Sequence, residues 1–127
     1  MRYISLPGRL ELEIQKKAER SGCKTVLWYD MDKYDVRVTL PSGKVWAIDA
    51  KTHRNPYILA NEIKSDGELP TAEADRKFYV IPDELLSEHG DYCDICNSAL
   101  KWNDAECITD KRLYQLLRRE VGANEEN

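Results

Sequence analysis

Tyr34-Asp35-Val36-Arg37-Val38-Thr39-Leu40-Pro41-Ser42-Gly43-Lys44-Val45-Trp46-Ala47-Ile48-Asp49-Ala50-Lys51 reads as two strands about a tight turn. Val36, Val38 and Leu40 alternate with Asp35, Arg37 and Thr39. Beyond the turn, Trp46 and Ile48 alternate with Val45, Ala47, Asp49 and Lys51. This period of two is what a strand with one apolar face needs. Pro41-Ser42-Gly43 suits a three-residue hairpin loop with glycine in the left-handed position. If Leu40 pairs with Lys44, counting outward sets Val38 against Trp46, Val36 against Ile48 and Asp35 against Asp49. One face of the hairpin is then apolar. Asp35, Asp49 and Lys51 project together at its open end, because opposed residues share a face and so do residues two apart.

Two carboxylates opposed across strands repel unless something neutralises them. A divalent cation does so economically: Mg²⁺ takes oxygen ligands and often uses one or two carboxylates with water and phosphate oxygens. Such an ion can position a water and offset charge building on a phosphodiester. Lys51 can act there as a point charge on the water or the phosphate. Asp49-Ala50-Lys51 alone could arise by chance on any solvated strand. The matching Asp35 across a compatible hairpin, after a helix and a strand, favours a catalytic site.

Working outward, Leu10, Ile14 and Ala18 give a helix from Arg9 to Arg20, stopped by Ser21-Gly22 in the usual way for a helix C-terminus. Thr25–Tyr29 reads as a strand. Asn55-Pro56 looks like a cap and first turn, opening a helix through Ile63. Residues 65–74 read as a loop, Lys77–Ile81 as a strand, and Asp83 as the cap of a short helix through Glu88. Gly90–Asp110 has little periodicity, and Lys111–Val121 is a helix with Leu113, Leu116 and Leu117 on its apolar face. Residues 122–127 read as a frayed end. The class is α/β, with helix, strand, antiparallel hairpin, helix and strand in order. The expected organisation is a core over residues 1–89, with a cysteine-rich extension and C-terminal helix over 90–127 packed on the same domain.

A chain of 127 residues, 42% of them apolar, fits one globular domain. It has no apolar run of the roughly 18–20 residues a membrane span requires and no signal-peptide core at its start. A soluble cytoplasmic protein is expected. Lys plus Arg number 19 against 23 Asp plus Glu, a net charge of −4, which counts against nonspecific wrapping of nucleic acid. Positive charge nevertheless collects around Arg9, Lys16, Lys17 and Arg20, and around Lys111, Arg112, Arg118 and Arg119. Either run alone reads as a solvated helix face.

Cys93-Asp94-Ile95-Cys96 is a C-x-x-C knuckle with Cys107 further on. In a cytosolic chain this spacing points to thiolates gripping structural Zn²⁺ rather than to disulfides. The fourth ligand is expected to be Cys23, at the start of the first strand, which uses all four cysteines; His89, which would make a local site, is the alternative. Trp28 and Trp46 fall at inward strand positions, leaving Trp102 as a candidate contact residue. His53 and Arg54 read as a solvent-facing pair at the pocket edge.

The chain resembles the PD-(D/E)xK restriction-endonuclease-like superfamily over residues 5–85. More narrowly, Leu6-Pro7-Gly8-Arg9-Leu10-Glu11, Leu27-Trp28 to Asp35, and Ile48-Asp49-Ala50-Lys51 look like the endonuclease domain encoded beside prokaryotic PIWI-type proteins in anti-phage systems. The resemblance implies Mg²⁺- or Mn²⁺-dependent cleavage of DNA. It implies Asp35, Asp49 and the Ala50 position at the metal, and Lys51 as the water-positioning residue. Tyr34 stands where the pattern has Pro, and Asp49 is the less common of its two acids; neither departure removes a functional group. Many members add a Glu from the first helix. Glu11 fits that position, with Glu13 as competitor, and only one can face the site because they point about 200° apart. Implied partners are DNA, a protein of a defence complex, and a second copy of the chain. The rival reading is a catalytically silent nucleic-acid-binding or assembly module with structural zinc.

Overall fold

A computed structural model describes residues 8–30, 33–65, 74–100 and 105–125, with side chains for all of these but 28–30, 33–35 and 123–125. The elements run α1 (Arg9–Arg20), β1 (Lys24–Asp30), β2 (Lys33–Thr39), β3 (Val45–Ala50), α2 (Pro56–Ser65), β4 (Arg76–Ile81), a 3₁₀ turn (Asp83–Ser87), α3 (Tyr92–Ala99), β5 (Ala105–Thr109) and α4 (Asp110–Glu125). The five strands form one sheet in chain order, β1-β2-β3-β4-β5. β1 with β2 and β2 with β3 are antiparallel; β3 with β4 and β4 with β5 are parallel.

The hairpin has the register that alternation requires: Val36 faces Ile48 and Val38 faces Trp46. Leu40 donates its N–H to the Lys44 carbonyl at 2.8 Å, closing the three-residue loop, and Gly43 adopts φ 94°. A side chain there would sit in open space, so glycine is needed for its backbone alone. At the end of α1, Cys23 N–H reaches Ala18 O and Gly22 N–H reaches Glu19 O at 3.0 Å each, with Gly22 at φ 98°. These two bonds make a Schellman ending and aim the chain straight into β1. Asn55 Oδ1 accepts the Tyr57 N–H at 2.9 Å and starts α2 as a side-chain cap.

The sheet separates two cores. On one face α1 and α4 bury Ile14, Val36, Trp46, Ile48, Phe78 and Leu113, with Trp46 and Phe78 packed edge to face. On the other, α2 and α3 bury Leu59, Ile63, Tyr79, Ile81, Tyr92 and Cys96. Fully burying side chains of this size stabilises the fold by roughly 1.5–3 kcal/mol each.

Three expectations are corrected. Gly90–Asp110 is not irregular: it contains α3 and β5, and β5 extends the same sheet alongside β4. The C-x-x-C lies within α3 rather than on a turn. Asp83 does not cap with its side chain; its N–H bonds Asp110 Oδ1 at 3.0 Å, and its carboxylate meets Lys111 Nζ at 3.4 Å. Trp46 is buried as expected. Trp102 and most of the 65–74 loop lie outside the described residues, as does the side chain of Trp28.

Candidate functional site

β3 is flanked by strands on both edges and covered on both faces, so its C-terminal end buries whatever it carries. Asp49 is 8% and Lys51 9% exposed. The Lys51 N–H donates to Val80 O at 2.8 Å, carrying the β3–β4 pairing one residue past Ala50 and keeping Lys51 on the same side as Asp49. Charges buried this deeply must be paired. Lys51 Nζ lies 3.4 Å from Asp49 Oδ1 and 3.3 Å from Glu62 Oε2, and His53 Nε2 lies 3.2 Å from the same Glu62 oxygen. Burial by itself would lower the Lys51 pKa. The adjacent carboxylates of Asp49 and Glu62 outweigh it and hold the ammonium above its ordinary value.

Glu62 was not legible as a site residue, because only the crossover of α2 brings it to β3. A faint signal existed: it borders the buried stripe Leu59, Ala60 and Ile63, where a lone carboxylate needs a partner. His53 is likewise not solvent-facing but half-buried in this network. Its carbonyl accepts the Tyr92 hydroxyl, tying the segment after β3 to α3. Arg54 is exposed and pairs with Glu88 at 3.6 Å.

Asp35 pairs with Trp28 across β1 and β2. It stands one position beyond Val36, the last β2 residue paired with β3, opposite Ile48; its side chain lies outside the described residues. α1 packs on the α1/α4 face, away from Glu62. The Glu11 carboxylate folds back on the start of its own helix, where a Cβ at Gly8 would collide with it. Glu13 pairs with Arg9 at 3.0 Å on the surface. Among the described residues neither joins the Lys51 network.

Asp49 and Glu62 offer hard oxygen donors of the kind that suit Mg²⁺ or Mn²⁺. No group of three or more described His, Cys, Asp or Glu is arranged to hold a metal by itself. A hard cation here would therefore fill its shell with water and phosphate oxygens, as Mg²⁺ commonly does.

The cysteines divide. Cys93, Cys96 and Cys107 come together where α3 crosses β5. Hydrogen bonding from the Cys107 thiol lowers the pKa of Cys93 and Cys96, and the same contacts with burial raise that of Cys107. Asn97 fixes the crossing: its side chain donates to Cys107 O at 3.1 Å and accepts Cys107 N–H at 2.7 Å. Cys23 is buried in the other core beside β1, the opposite edge of the sheet from β5. Four strand spacings of about 4.8 Å separate those edges, so Cys23 is not the fourth ligand of a shared site. His89 sits just before α3, its carbonyl accepting the Tyr92 N–H at 3.1 Å.

Among the described residues no helix is long and apolar enough to cross a membrane. Searches of curated proteins and of solved structures found no match. A mixed α/β sheet with an acid and a lysine two residues apart on its central strand is what a restriction-endonuclease-like domain presents. The family model pPIWI_RE_REase, described as "REase associating with pPIWI_RE", matches residues 8–125, and the chain belongs to that family.

Proposed function

We propose that the protein is a Mg²⁺-dependent endonuclease that hydrolyses DNA phosphodiesters in prokaryotic antiviral defence, beside a PIWI-type partner. The observation that carries this is the buried Lys51 ammonium held between the Asp49 and Glu62 carboxylates at 3.4 and 3.3 Å. A buried ion cluster contributes little net stability compared with apolar residues of the same volume, so its presence beside a sheet end calls for another use.

Asp49, with Asp35 and the Ala50 main chain, would hold the metal, and Glu62 supplies a further carboxylate beside them. When bound, the ion would lower the pKa of a water and screen the phosphate charge. The chain's own groups do the rest. Lys51, fixed by two acids, presents one positive charge to the attacking water or to a non-bridging phosphate oxygen. The water oxygen gives up a proton to solvent as it bonds phosphorus, the bond to the leaving sugar oxygen breaks, and that oxygen takes up a proton from solvent. Glu62 sets the position of Lys51 and orients His53 through the same oxygen. Burial strengthens each of these electrostatic contacts relative to water.

The test is cleavage of plasmid and linear DNA with Mg²⁺ or Mn²⁺, in the presence of the PIWI-type partner where the protein alone is inactive. Asp49→Ala and Lys51→Ala are expected to lower the rate by about 10²-fold or more, the scale of losing a preorganised charge at a reacting centre. Cleavage unchanged in both variants would exclude this site.

A further inference from the structure

The two basic runs, far apart in sequence, meet on the sheet face opposite the Lys51 network. A groove of about 420 Å³ between α1 and α4 is lined by Lys17 and Arg20 from one helix and Lys111, Tyr114, Gln115 and Arg118 from the other. Among the described residues lining it there is no carboxylate. The neighbouring cleft differs: there Glu13, Asp83, Glu84 and Asp110 offset Arg9 and Lys111. Lys111, Gln115 and Arg118 stand four and three residues apart and so share one helix face. At 1.5 Å rise per residue the run from Lys111 to Arg118 is about 10 Å long, close to three nucleotide steps of about 3.4 Å.

Helix dipoles do not account for this set. Lys17 and Arg20 in the last turn of α1 suit its negative end. Lys111 and Arg112, however, occupy the first turn of α4, where positive charge is unfavourable, and Arg118 is mid-helix. Lys111 is partly offset by Asp83 at 3.4 Å, and Lys17 lies over the Tyr114 ring at 5.6 Å. Among the described residues Arg20 and Arg118 have no ion-pair partner.

We propose that this groove binds the sugar–phosphate backbone of a nucleic acid, a surface distinct from the cleavage site. The choice of nucleic acid rests on the nuclease reading above. Independently, among the described residues the exposed large apolar side chains, Leu12, Val26, Tyr57 and Ile58, do not line the groove, and Leu117, which does, is buried. A protein hot spot or a membrane-lying helix needs such anchors; phosphates need cations alone. Clustered cations in a chain of net charge −4 give a local positive potential that the bulk charge conceals.

The full chain without divalent metal would be titrated onto a short labelled DNA duplex at several salt concentrations. Arg20→Ala/Arg118→Ala is expected to reduce the slope of log K against log salt by about 1.8, at about 0.9 for each phosphate that is no longer neutralised. Arg20→Lys/Arg118→Lys should keep the slope, and so should Lys44→Ala/Lys64→Ala, which removes equal charge elsewhere. An RNA duplex showing the same change supports the groove and adds RNA as its occupant. A slope unchanged in Arg20→Ala/Arg118→Ala overturns the proposal, as does tighter binding to anionic phosphatidylserine vesicles than to either duplex. Groove-dependent binding here, with no cleavage in the separate assay with Mg²⁺ or Mn²⁺ and the PIWI-type partner, would refute only the nuclease reading. Cleavage with groove-independent binding would refute only the groove.

Discussion

Lys51 is the residue on which stability and chemistry meet. Removing it takes the shared cation from the buried Asp49 carboxylate and the partly exposed Glu62, a loss of up to about 3–5 kcal/mol by the precedent of broken buried pairs. Urea unfolding of Lys51→Ala would check this, and cleavage by that variant is best compared at a temperature where it is folded. Glu62→Gln keeps the shape and loses one charge; the expected effect is a rate lower by roughly 10–100-fold, as for groups that orient a metal-site residue, with a far smaller stability loss. Tyr114 gives a pH signature. Burial, with Asp110 and Glu13 nearby, pushes its pKa up to about 12. A folded value above the ordinary value of about 10 means stability that is complete below pH 10 and is lost as pH rises through about 12. Tyr114→Phe should decline less steeply over that window in pH-dependent thermal melts; an identical decline would remove Tyr114 as the cause. At this scale the shared side of Asp49 and Lys51 was legible, because a strand's alternation fixes it. Glu62 and the shared position of Cys93, Cys96 and Cys107 depend on crossovers that no local pattern encodes.

Among elements, the register of the β2–β3 hairpin from Val36 to the loop was legible, since alternation and a loop needing a left-handed glycine agree on it. Gly43→Ala should therefore cost about 1–2 kcal/mol, the penalty for an L-residue in that region, with no steric addition because the space beside it is open. A midpoint shift in chemical denaturation would measure it, and an unchanged midpoint would mean the loop relaxes. The last two elements before α4 were missed for physical reasons. α3 is only eight residues, Tyr92–Ala99, with few strong helix formers, and is held by Asn97 and Tyr92 rather than by propensity. β5, Ala105–Thr109, shows no clean alternation, being a short parallel strand covered on both faces near its end.

For the molecule as a whole, the sheet insulates two cores. Ile14 belongs to the α1/α4 side and Ile63 to the α2/α3 side, both fully buried. Ile14→Val and Ile63→Val should each cost about 0.5–1.5 kcal/mol, and the double variant should equal their sum within about 0.5 kcal/mol. Coupling beyond that would show strain crossing the sheet. The same division lets a carboxylate–lysine cluster on one face coexist with a basic groove on the other. Finally, the strands lie side by side in the order in which they occur along the chain. No strand has to be threaded between two already paired, so the sheet can lengthen one edge at a time as the polypeptide leaves the ribosome, the local hairpin pairs closing at less entropic cost than the parallel pairs that follow. Pulse-labelled hydrogen exchange during refolding should accordingly protect β2 and β3 before β5. Simultaneous protection would point instead to a single late collapse, with α4 closing over α1 as the step that locks all five strands together.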